Sequence, residues 1–301
     1  MTGNQHYEVV VIGGSYAGLS AGLALGRSAR RVLIVDSGKP CNRQTPHSHN
    51  FLTRDGIAPA ELAAIAKDQV LKYPTVQFLE DHVSAAEGTD GNFRIELSSG
   101  NTVTSVKIIF AAGIVDEMPK IKGFEACWGI SAIHCPYCHG YEYKGQITGL
   151  LANGDIAADF AKLVNHWAYG LILFTNGPSV IADEKAKELA ELHIPVIETP
   201  VKEIIHENGY LSSLLLEDDQ NIVLQALYAK LPFKQHCSIP QQLGCAMTEQ
   251  GFIQVDDFQK TNVPGVFAAG DCTTMMRSVA AAVSGGGKAG AFVNHELIFN
   301  R

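Results

Sequence analysis

The stretch Tyr7–Gly18, YEVVVIGGSYAG, decides the fold. Its apolar run Tyr7–Ile12 predicts a strand that is buried on both faces. In the glycine-rich turn that follows, Gly and Ser occupy the three positions of the dinucleotide-binding pattern G-x-G-x-x-G, with serine at the second. Such a turn, at the start of a helix, brings backbone N–H groups close to a pyrophosphate. The residues predicted to bind a dinucleotide here are Gly13, Gly14, Ser15, Ala17 and Gly18.

The next residues complete a βαβ unit. Leu19–Gly26 is rich in small residues and predicts a helix that lies close to a sheet, and Arg31–Asp36 predicts the second strand. Asp36 ends this strand about 20 residues after the first glycine, where an acid meets a ribose hydroxyl. The glycine pattern is weak evidence by itself, but strand, turn, helix, strand and acid in this order favour dinucleotide binding over an ordinary βαβ unit.

Two other regions are candidates for the same cofactor. The polar loop Cys41–Asn50 is expected to cover it, although a plain surface loop remains the alternative. Near the C-terminus, the predicted strand Val266–Ala269 ends at a glycine and an acid that can hold a polyol hydroxyl, and the predicted helix Ser278–Leu297 is interrupted by Gly285–Gly287. The candidates from these regions and from the strand end at residue 113 are Asn42, Arg43, His47, Asn50, Gly113, Gly270, Asp271, Arg277, Ser278 and Val279.

A pair of cysteines, Cys135 and Cys138, lies in the middle of the chain within CPYC. Two thiols at this spacing can close a redox-active disulfide. The proline after Cys135 predicts a helix start, where a thiolate is favoured. His134 and His139 flank the pair and can exchange protons near neutral pH. We expect His139 to be the acid–base group, with His134 less favoured and Glu142 as a further alternative.

Other chemistry is compatible with two cysteines at this spacing. Cys-x-x-Cys-His is also the attachment pattern of c-type haem, but no export signal or haem-type fold is visible. Structural zinc needs two further ligands, and His134 and His139 are too close to the cysteines to complete a tetrahedron. Metal binding by His47 and His49 lacks a matching acid or thiol cluster. We therefore predict no metal.

A second, degraded βαβ unit follows the cysteines. The strand Gln146–Leu151 leads into ANGDIA, in which Ala152 replaces the first glycine. The next strand, Leu171–Phe174, runs into Thr175-Asn176-Gly177, without the acid or arginine that would select NADH or NADPH. Binding of NAD(P)H is therefore doubtful.

Composition limits the possible partners. The chain has 301 residues, of which 46% are hydrophobic and 18% charged, and a formal net charge of −8. A sizeable core is expected, whereas nucleic acid and anionic membranes are disfavoured as partners. No apolar run reaches transmembrane length. Seven cysteines without a secretory start predict a cytoplasmic protein whose close thiol pair is catalytic.

Taken together, these motifs resemble the low-molecular-weight thioredoxin reductase family of flavin disulfide oxidoreductases. The resemblance implies an α/β fold with two Rossmann-like three-layer domains: an FAD domain of residues 1–115 and 238–301, and an inserted NAD(P)-type domain of residues 116–237. It also implies a homodimer. By the same resemblance, Cys138 faces the flavin, Cys135 exchanges with substrate, Asp271 holds the ribitol, and Arg277–Val279 lies near the ring.

Three departures separate this chain from the reductases of that family: His139 replaces an acid, Ala152 replaces a glycine, and Thr175-Asn176-Gly177 replaces a His-Arg-Arg cluster. The run CPYCHGYE instead resembles the gliotoxin- and holomycin-type dithiol oxidases. This resemblance implies FAD-dependent oxidation of a dithiol, either a small molecule or a thioredoxin-like protein, without NADPH. The alternatives are an NAD(P)H-dependent thioredoxin-type reductase and a non-enzymatic flavin-binding sensor, which would not need the thiol pair.

Overall fold

The computed structural model describes residues 5–299. The helices are α1 (Tyr16–Arg27), α2 (Pro59–Leu71), α3 (Phe124–Cys127), α4 (Pro136–His139), α5 (Asp155–Val164), α6 (Asp183–Glu191), α7 (Ile239–Gln242) and α8 (Val279–Phe299). The strands are β1 (Gln5–Ile12), β2 (Val32–Asp36), β3 (Val76–Glu80), β4 (Val83–Thr89), β5 (Asn92–Leu97), β6 (Thr102–Phe110), β7 (Ile114–Asp116), β8 (Ala132–Ile133), β9 (Ile147–Leu151), β10 (Gly170–Phe174), β11 (Val196–Ile197), β12 (Val201–Glu207), β13 (Tyr210–Leu216), β14 (Asn221–Val223), β15 (Ala226–Ala229), β16 (Phe233–Gln235) and β17 (Val266–Ala268).

The chain divides into two compact units. Unit 1 contains residues 1–43, 59–115 and 233–301, and unit 2 contains residues 44–58 and 116–232. Both are α/β, as predicted, with parallel sheets of the Rossmann type. Within residues 5–299, no helix is long and apolar enough to cross a membrane.

Unit 1 is built on a seven-stranded sheet with the order β3-β2-β1-β6-β5-β4, and β17 also pairs with β6. Strands β3, β2, β1, β6 and β17 are parallel, whereas β4 and β5 form an antiparallel hairpin. One edge of β6 pairs with β1; the other pairs with β5 near its start and with β17 near its end. The carboxyl ends of β1, β2, β6 and β17 therefore lie at one edge of the sheet, where ligands bind in open α/β folds.

The helices α1 and α8 pack closely because glycines remove side chains from the contact. A Cβ on Gly286 would lie 2.0 Å from the carbonyl oxygen of Ala17, and one on Gly290 would lie 2.7 Å from that of Ala21. The sequence predicted an interruption at Gly285–Gly287, and this was wrong, since α8 continues through all three glycines. Close packing against α1 outweighs the low helix propensity of glycine there.

Unit 2 contains a five-stranded parallel sheet, β11-β10-β9-β15-β8, and a three-stranded antiparallel sheet, β12-β13-β14. Its core holds Phe124, Phe174 and Tyr228, which are at most 1% exposed. The short strand β8 ends at Ile133, two residues before Cys135.

Two predicted domain boundaries differ from this division. Residues 44–58 belong to unit 2, although the predicted first domain included them: the Gln44 side-chain amide donates to the carbonyl oxygen of Trp128, and His49 contacts Glu142. Residues 233–237 belong to unit 1, because the Gln235 amide donates to the carbonyl oxygens of Gly251 and Cys272. No local sequence pattern indicates either contact.

Candidate active site

The glycine-rich turn of unit 1 has a geometry that few other residues permit. Gly13 adopts φ 105°, and a Cβ on it would lie 2.3 Å from the carbonyl oxygen of Ala111. A Cβ on Gly18 would lie 1.8 Å from the carbonyl oxygen of Gly13. The turn and the start of α1 are therefore held at a separation that only glycine allows.

Asp36 lies beside this turn. One of its carboxylate oxygens accepts a hydrogen bond of 3.0 Å from the backbone N–H of Gly14, and the other accepts one of 3.2 Å from Gly38. Ser15 is the N-cap residue of α1, and its side chain makes no capping hydrogen bond there. We call the Gly13–Gly18 turn the cradle. Together with the start of the 12-residue helix α1 it suits a diphosphate, and the Asp36 carboxylate suits a ribose.

The C-terminal candidates also belong to unit 1. Gly113 and Gly270 both have positive φ, and a Cβ on Gly113 would meet no atom within 4 Å. Asp271 pairs with Arg277, with 3.6 Å between carboxylate oxygen and Nε. Ser278 precedes α8, which begins at Val279, and its Oγ accepts a hydrogen bond of 3.1 Å from the backbone N–H of Ala281.

The four loop candidates fall in different units. Asn42 and Arg43 lie in unit 1, and the guanidinium of Arg43 donates to the carbonyl oxygen of Pro40. His47 and Asn50 lie in unit 2. There the His47 ring contacts the carbonyl oxygen of Gly56 at 2.9 Å, and the Asn50 backbone N–H donates to Asp55. The binding roles predicted for these four residues stay predictions.

The cysteine pair forms the start of α4. Cys135 is the N-cap residue with an extended backbone, Pro136 is the first helical residue, and the two sulfur atoms are 2.9 Å apart. The predicted helix start is therefore confirmed. Because α4 has four residues, its dipole adds little to the stability of a thiolate. A sulfur–sulfur bond is about 2.05 Å long, so less than an ångström of movement would close a disulfide.

His139 ends α4, with both of its ring nitrogens buried. Within residues 5–299, neither nitrogen has a hydrogen-bond partner. Burial lowers the pKa of His139, whereas the carboxylate of Glu142 raises it and His49 lowers it. The ring therefore remains neutral at a lower pH than the ring of an ordinary histidine. A neutral ring can accept a proton from a thiol.

His134 lies in a different environment from His139. Its ring centroid is 6.1 Å from that of Trp128, which stacks on Phe124 in the core of unit 2. His134 thus borders an aromatic cluster, and the choice between His139 and His134 as the acid–base group stays a prediction.

The second βαβ turn, in unit 2, is hydrogen-bonded to the chain's own loop. The Asn153 side chain donates to the carbonyl oxygen of Pro178 at 2.9 Å and accepts from the backbone N–H of Val180 at 3.0 Å. Asp155 accepts from the N–H of Ala182 at 2.9 Å. An acid and a loop thus stand at the start of α5, where a pyrophosphate would bind in a nucleotide site.

The residues after β10 also form hydrogen bonds with the chain itself. The Thr175 hydroxyl donates to the carbonyl oxygen of Gly177 at 2.7 Å, and the Asn176 side chain accepts from the backbone N–H of Val201 at 2.8 Å. Neither side chain carries the charge that a ribose or a 2′-phosphate would require. Among the described residues, no group of three or more His, Cys, Asp or Glu side chains could hold a metal ion.

The geometry agrees with a comparison against known proteins. Residues 7–286 match the family model described as pyridine nucleotide-disulphide oxidoreductase. The chain belongs to this family. It is accordingly a flavoprotein oxidoreductase with the thioredoxin reductase fold.

Several relatives within the family cover almost the whole chain. "Thioredoxin reductase tcpT" of Claviceps purpurea is 32% identical over 97% of this chain and 94% of its own. "Thioredoxin reductase sirT" of Leptosphaeria maculans is 31% identical with the same coverage. An oxidoreductase from Agrobacterium tumefaciens has a solved structure with a TM-score of 0.92, 36% identity, and coverage of 99% of this chain and 100% of its own. The structure of a protein named HlmI gives a TM-score of 0.92 at 33% identity, covering 99% and 94%.

Sequence reasoning missed two parts of this site. His49 was considered only as a metal ligand, yet its Nε2 lies 3.4 Å from the Glu142 carboxylate. Tyr228 of β15 was not singled out; its hydroxyl is buried, and the charges of Cys135 and Glu142 add to burial in raising its pKa. No spacing in the sequence connects either residue with the cysteines, because strand pairing and a distant segment bring them there.

Proposed function

We propose that this protein is an FAD-dependent thiol–disulfide oxidoreductase that oxidises a dithiol through Cys135 and Cys138 and does not use NADPH. The observation that carries the proposal is the 2.9 Å separation of the two sulfur atoms at the start of α4. The neutral, buried ring of His139 in the same short helix supports it.

The thiol chemistry has two exchange steps. A substrate thiolate attacks the sulfur of Cys135 in the Cys135–Cys138 disulfide, the S–S bond breaks, and Cys138 leaves as a thiolate. The second substrate thiol then attacks the mixed disulfide and releases Cys135. The substrate leaves as a disulfide, having lost two electrons and two protons, and the protein holds two reduced cysteines.

Proton transfer is assigned to His139. Burial lowers the pKa of its ring, so the ring is neutral at a lower pH than an ordinary histidine. One ring nitrogen can therefore take the proton of a substrate thiol as that thiol becomes the attacking thiolate. Glu142 stays the alternative acid–base group.

The residues of unit 1 fit FAD. The Gly13–Gly18 cradle and the start of α1 would hold the diphosphate, Asp36 the adenosine ribose, and Asp271 the ribitol. When bound, FAD would supply the two-electron acceptor that reoxidises the cysteines. Oxygen or another acceptor then takes these electrons.

The second nucleotide site supports the part of the proposal that concerns NADPH. Asn153 and Asp155 accept hydrogen bonds from the loop 178–182 at the start of α5. The Thr175 hydroxyl donates to Gly177, and the Asn176 side chain accepts from the backbone N–H of Val201. A charge-assisted phosphate contact contributes about 1.5–3 kcal/mol. Without two such arginines, NADPH binding is weaker by roughly two to four powers of ten.

A second candidate function is favoured by the names of the relatives. Several are called thioredoxin reductase, and a reductase of this kind would pass electrons from NAD(P)H to a disulfide. In this alternative the loop 178–182 would have to move away from α5. A flavin-binding sensor is disfavoured, because the family consists of oxidoreductases.

The substrate and the assembly are also proposals. The substrate is a small-molecule dithiol or the dithiol of a thioredoxin-like protein, and the protein works as a cytoplasmic homodimer. Tyr137 lies between the cysteines and is 62% exposed, so a substrate that reaches the pair meets an aromatic ring.

The test uses two cysteine variants and a control. Incubated with the disulfide form of the substrate, Cys138→Ser should retain it as a mixed disulfide, because the Cys135 thiolate attacks the substrate S–S bond and no second protein thiol can release it. The mixed disulfide is detected as an added mass, and Cys135→Ser should form none. Both should lose dithiol turnover. Cys41→Ser, which changes an exposed thiol outside α4, should keep it. Full turnover by Cys135→Ser or by Cys138→Ser would refute the mechanism.

A further inference from the structure

An aromatic side chain stands between the two cysteines of α4. Tyr137 follows Pro136 and precedes Cys138, and it is 62% exposed. Its ring meets the ring of Trp167 edge to face, with 5.6 Å between the centroids and 83° between the planes. Both residues lie in unit 2, as the cysteines do. Two aromatic rings in contact with each other therefore accompany the cysteine pair. We call Tyr137 and Trp167 the aromatic pair.

Trp167 is fixed by contacts of its own. Its backbone N–H donates to the carbonyl oxygen of Val164 at 3.0 Å, and its carbonyl oxygen accepts from the backbone N–H of Gly145 at 2.8 Å. A Cβ on Gly140, the C-cap residue of α4, would lie 3.1 Å from the Cγ atom of Trp167. The indole thus packs closely on the end of α4. Because its position is set before any ligand arrives, binding to it costs little ordering of the protein.

The size of the aromatic pair suits a small molecule. Aromatic side chains bury about 150–250 Å² each, so two of them offer at most about 500 Å². A stable protein–protein interface takes about 800 Å² from each partner. Aromatic rings also attract a further ring by more than the area that is buried. The aromatic pair by itself therefore fits a group of the size of one ring better than it fits a protein surface.

We propose that the aromatic pair makes this protein selective for small-molecule dithiols whose sulfur atoms lie next to an aromatic or other flat unsaturated ring. The inference rests on the proposed function, in which Cys135 forms a mixed disulfide with the substrate. The group joined to Cys135 is then held two residues from Tyr137, where its ring stacks on the aromatic pair. Tyr137 and Trp167 thus determine specificity and take no part in the exchange of bonds.

The test transfers an aromatic or a saturated ring to Cys135 with the same leaving group. The protein carries Cys41→Ser and Cys138→Ser, and the reagents are benzyl and cyclohexylmethyl methanethiosulfonate. The Cys135 thiolate attacks the sulfur that bears the ring, a protein–reagent S–S bond forms, and methanesulfinate leaves with the electron pair of the broken bond. The added mass, followed with time, gives a rate constant for each reagent. The cysteines that remain are buried: Cys127, Cys237, Cys245 and Cys272.

The quantity compared is the ratio of the benzyl to the cyclohexylmethyl rate constant, from which the reactivity of the thiolate cancels. Tyr137→Ala should lower this ratio about two- to tenfold, the size of one aromatic contact. Tyr137→Phe keeps the ring and should restore most of the ratio. Trp167→Leu, which keeps an apolar side chain against Gly140, should also lower it.

The matched control removes another tyrosine of unit 2. Tyr169 is 84% exposed, and Tyr169→Ala should leave the ratio unchanged. An unchanged ratio in Tyr137→Ala or in Trp167→Leu would overturn the proposal. Equal losses in Tyr137→Ala and Tyr169→Ala would overturn it too, because the effect would then not belong to the aromatic pair.

Turnover of the FAD-loaded protein distinguishes a small substrate from a protein substrate. The substrates are 1,2-benzenedimethanethiol, dithiothreitol and reduced thioredoxin. Tyr137→Ala should lower kcat/KM most for the aromatic dithiol. An equal or larger loss with thioredoxin would show a surface that docks a protein, and it would overturn the proposal.

The transfer experiment needs neither FAD nor turnover, so this inference and the proposed function can fail separately. A benzyl preference that depends on Tyr137, in a protein that oxidises no dithiol, would support the aromatic pair and refute the proposed function. Dithiol oxidation through Cys135 and Cys138, without a preference that depends on Tyr137, would support the function and overturn the inference.

Discussion

Asn153 and Val180 are joined by a hydrogen bond of 3.0 Å, from the backbone N–H of Val180 to the side-chain oxygen of Asn153. The same oxygen accepts from Gly154, and the side-chain nitrogen donates to the carbonyl oxygen of Pro178. One side chain thus connects the turn before α5 with the loop after β10, both within unit 2. The loop after β10 is thus hydrogen-bonded to the turn at which the second βαβ unit begins its helix.

Asn153→Ala removes these hydrogen bonds and should destabilise unit 2 by about 0.5–1.5 kcal/mol, the net contribution of a typical intramolecular hydrogen bond. The measurement is the midpoint of urea-induced unfolding. Asn221→Ala, at an exposed position of β14, is the control and should be within about 0.5 kcal/mol of the original protein. An equal, small effect of both changes would show that the loop is not held by Asn153.

Gly18→Ala should abolish FAD binding, because the added Cβ would lie 1.8 Å from the carbonyl oxygen of Gly13 and must displace the cradle. The control is Gly287→Ala, also at a helical glycine, where a Cβ would meet the Ser20 Oγ at 3.4 Å. The ratio of flavin to protein absorbance after purification with added FAD checks both. Normal flavin content in Gly18→Ala would contradict the role of the cradle.

Glu296→Gln should destabilise unit 1 by about 1.5–3 kcal/mol, the worth of a hydrogen bond to a charged group. Glu296 pairs with Lys107 at 2.8 Å, and Lys107 is 3% exposed, so the change leaves the buried ammonium with Asp90, at 2.7 Å, as its carboxylate partner. Glu80→Gln, in an exposed pair with Lys67, should cost less than about 1 kcal/mol. Comparable losses in the two variants, measured by urea unfolding, would argue against the buried pair.

The same carboxylate should make stability dependent on pH. Burial acts to raise the pKa of Glu296, but hydrogen bonds from Lys107 and Lys260 outweigh it, and the net pKa is lowered. Its contribution is therefore complete above the ordinary pKa of 4.5 and is lost as pH falls through the lower folded value. In Glu296→Gln the free energy of unfolding should fall less steeply below pH 4.5; identical slopes would refute the assignment.

The local patterns predicted much of the fold. The strand before Gly13, the helix after it and Asp36 at the end of β2 were all in place, because glycines and apolar runs act over short distances. The helix start at Cys135–Pro136 followed from proline chemistry in the same way.

Contacts between residues that are far apart along the chain could not be predicted from the sequence. The contact of His49 with Glu142 and the buried hydroxyl of Tyr228 depend on how a distant segment and a neighbouring strand pack. The continuity of α8 through three glycines also depends on a packing partner, α1, that periodicity does not reveal.

The central claim is that electrons enter from a dithiol and not from NADPH. The most direct test mixes the FAD-loaded protein anaerobically with a dithiol, with NADPH and with NADH in separate cuvettes and follows the flavin absorbance. Bleaching by the dithiol, reversed by air with formation of peroxide, is the predicted result, with little or no bleaching by either nucleotide. Rapid bleaching by micromolar NADPH would contradict the account and favour a thioredoxin-type reductase.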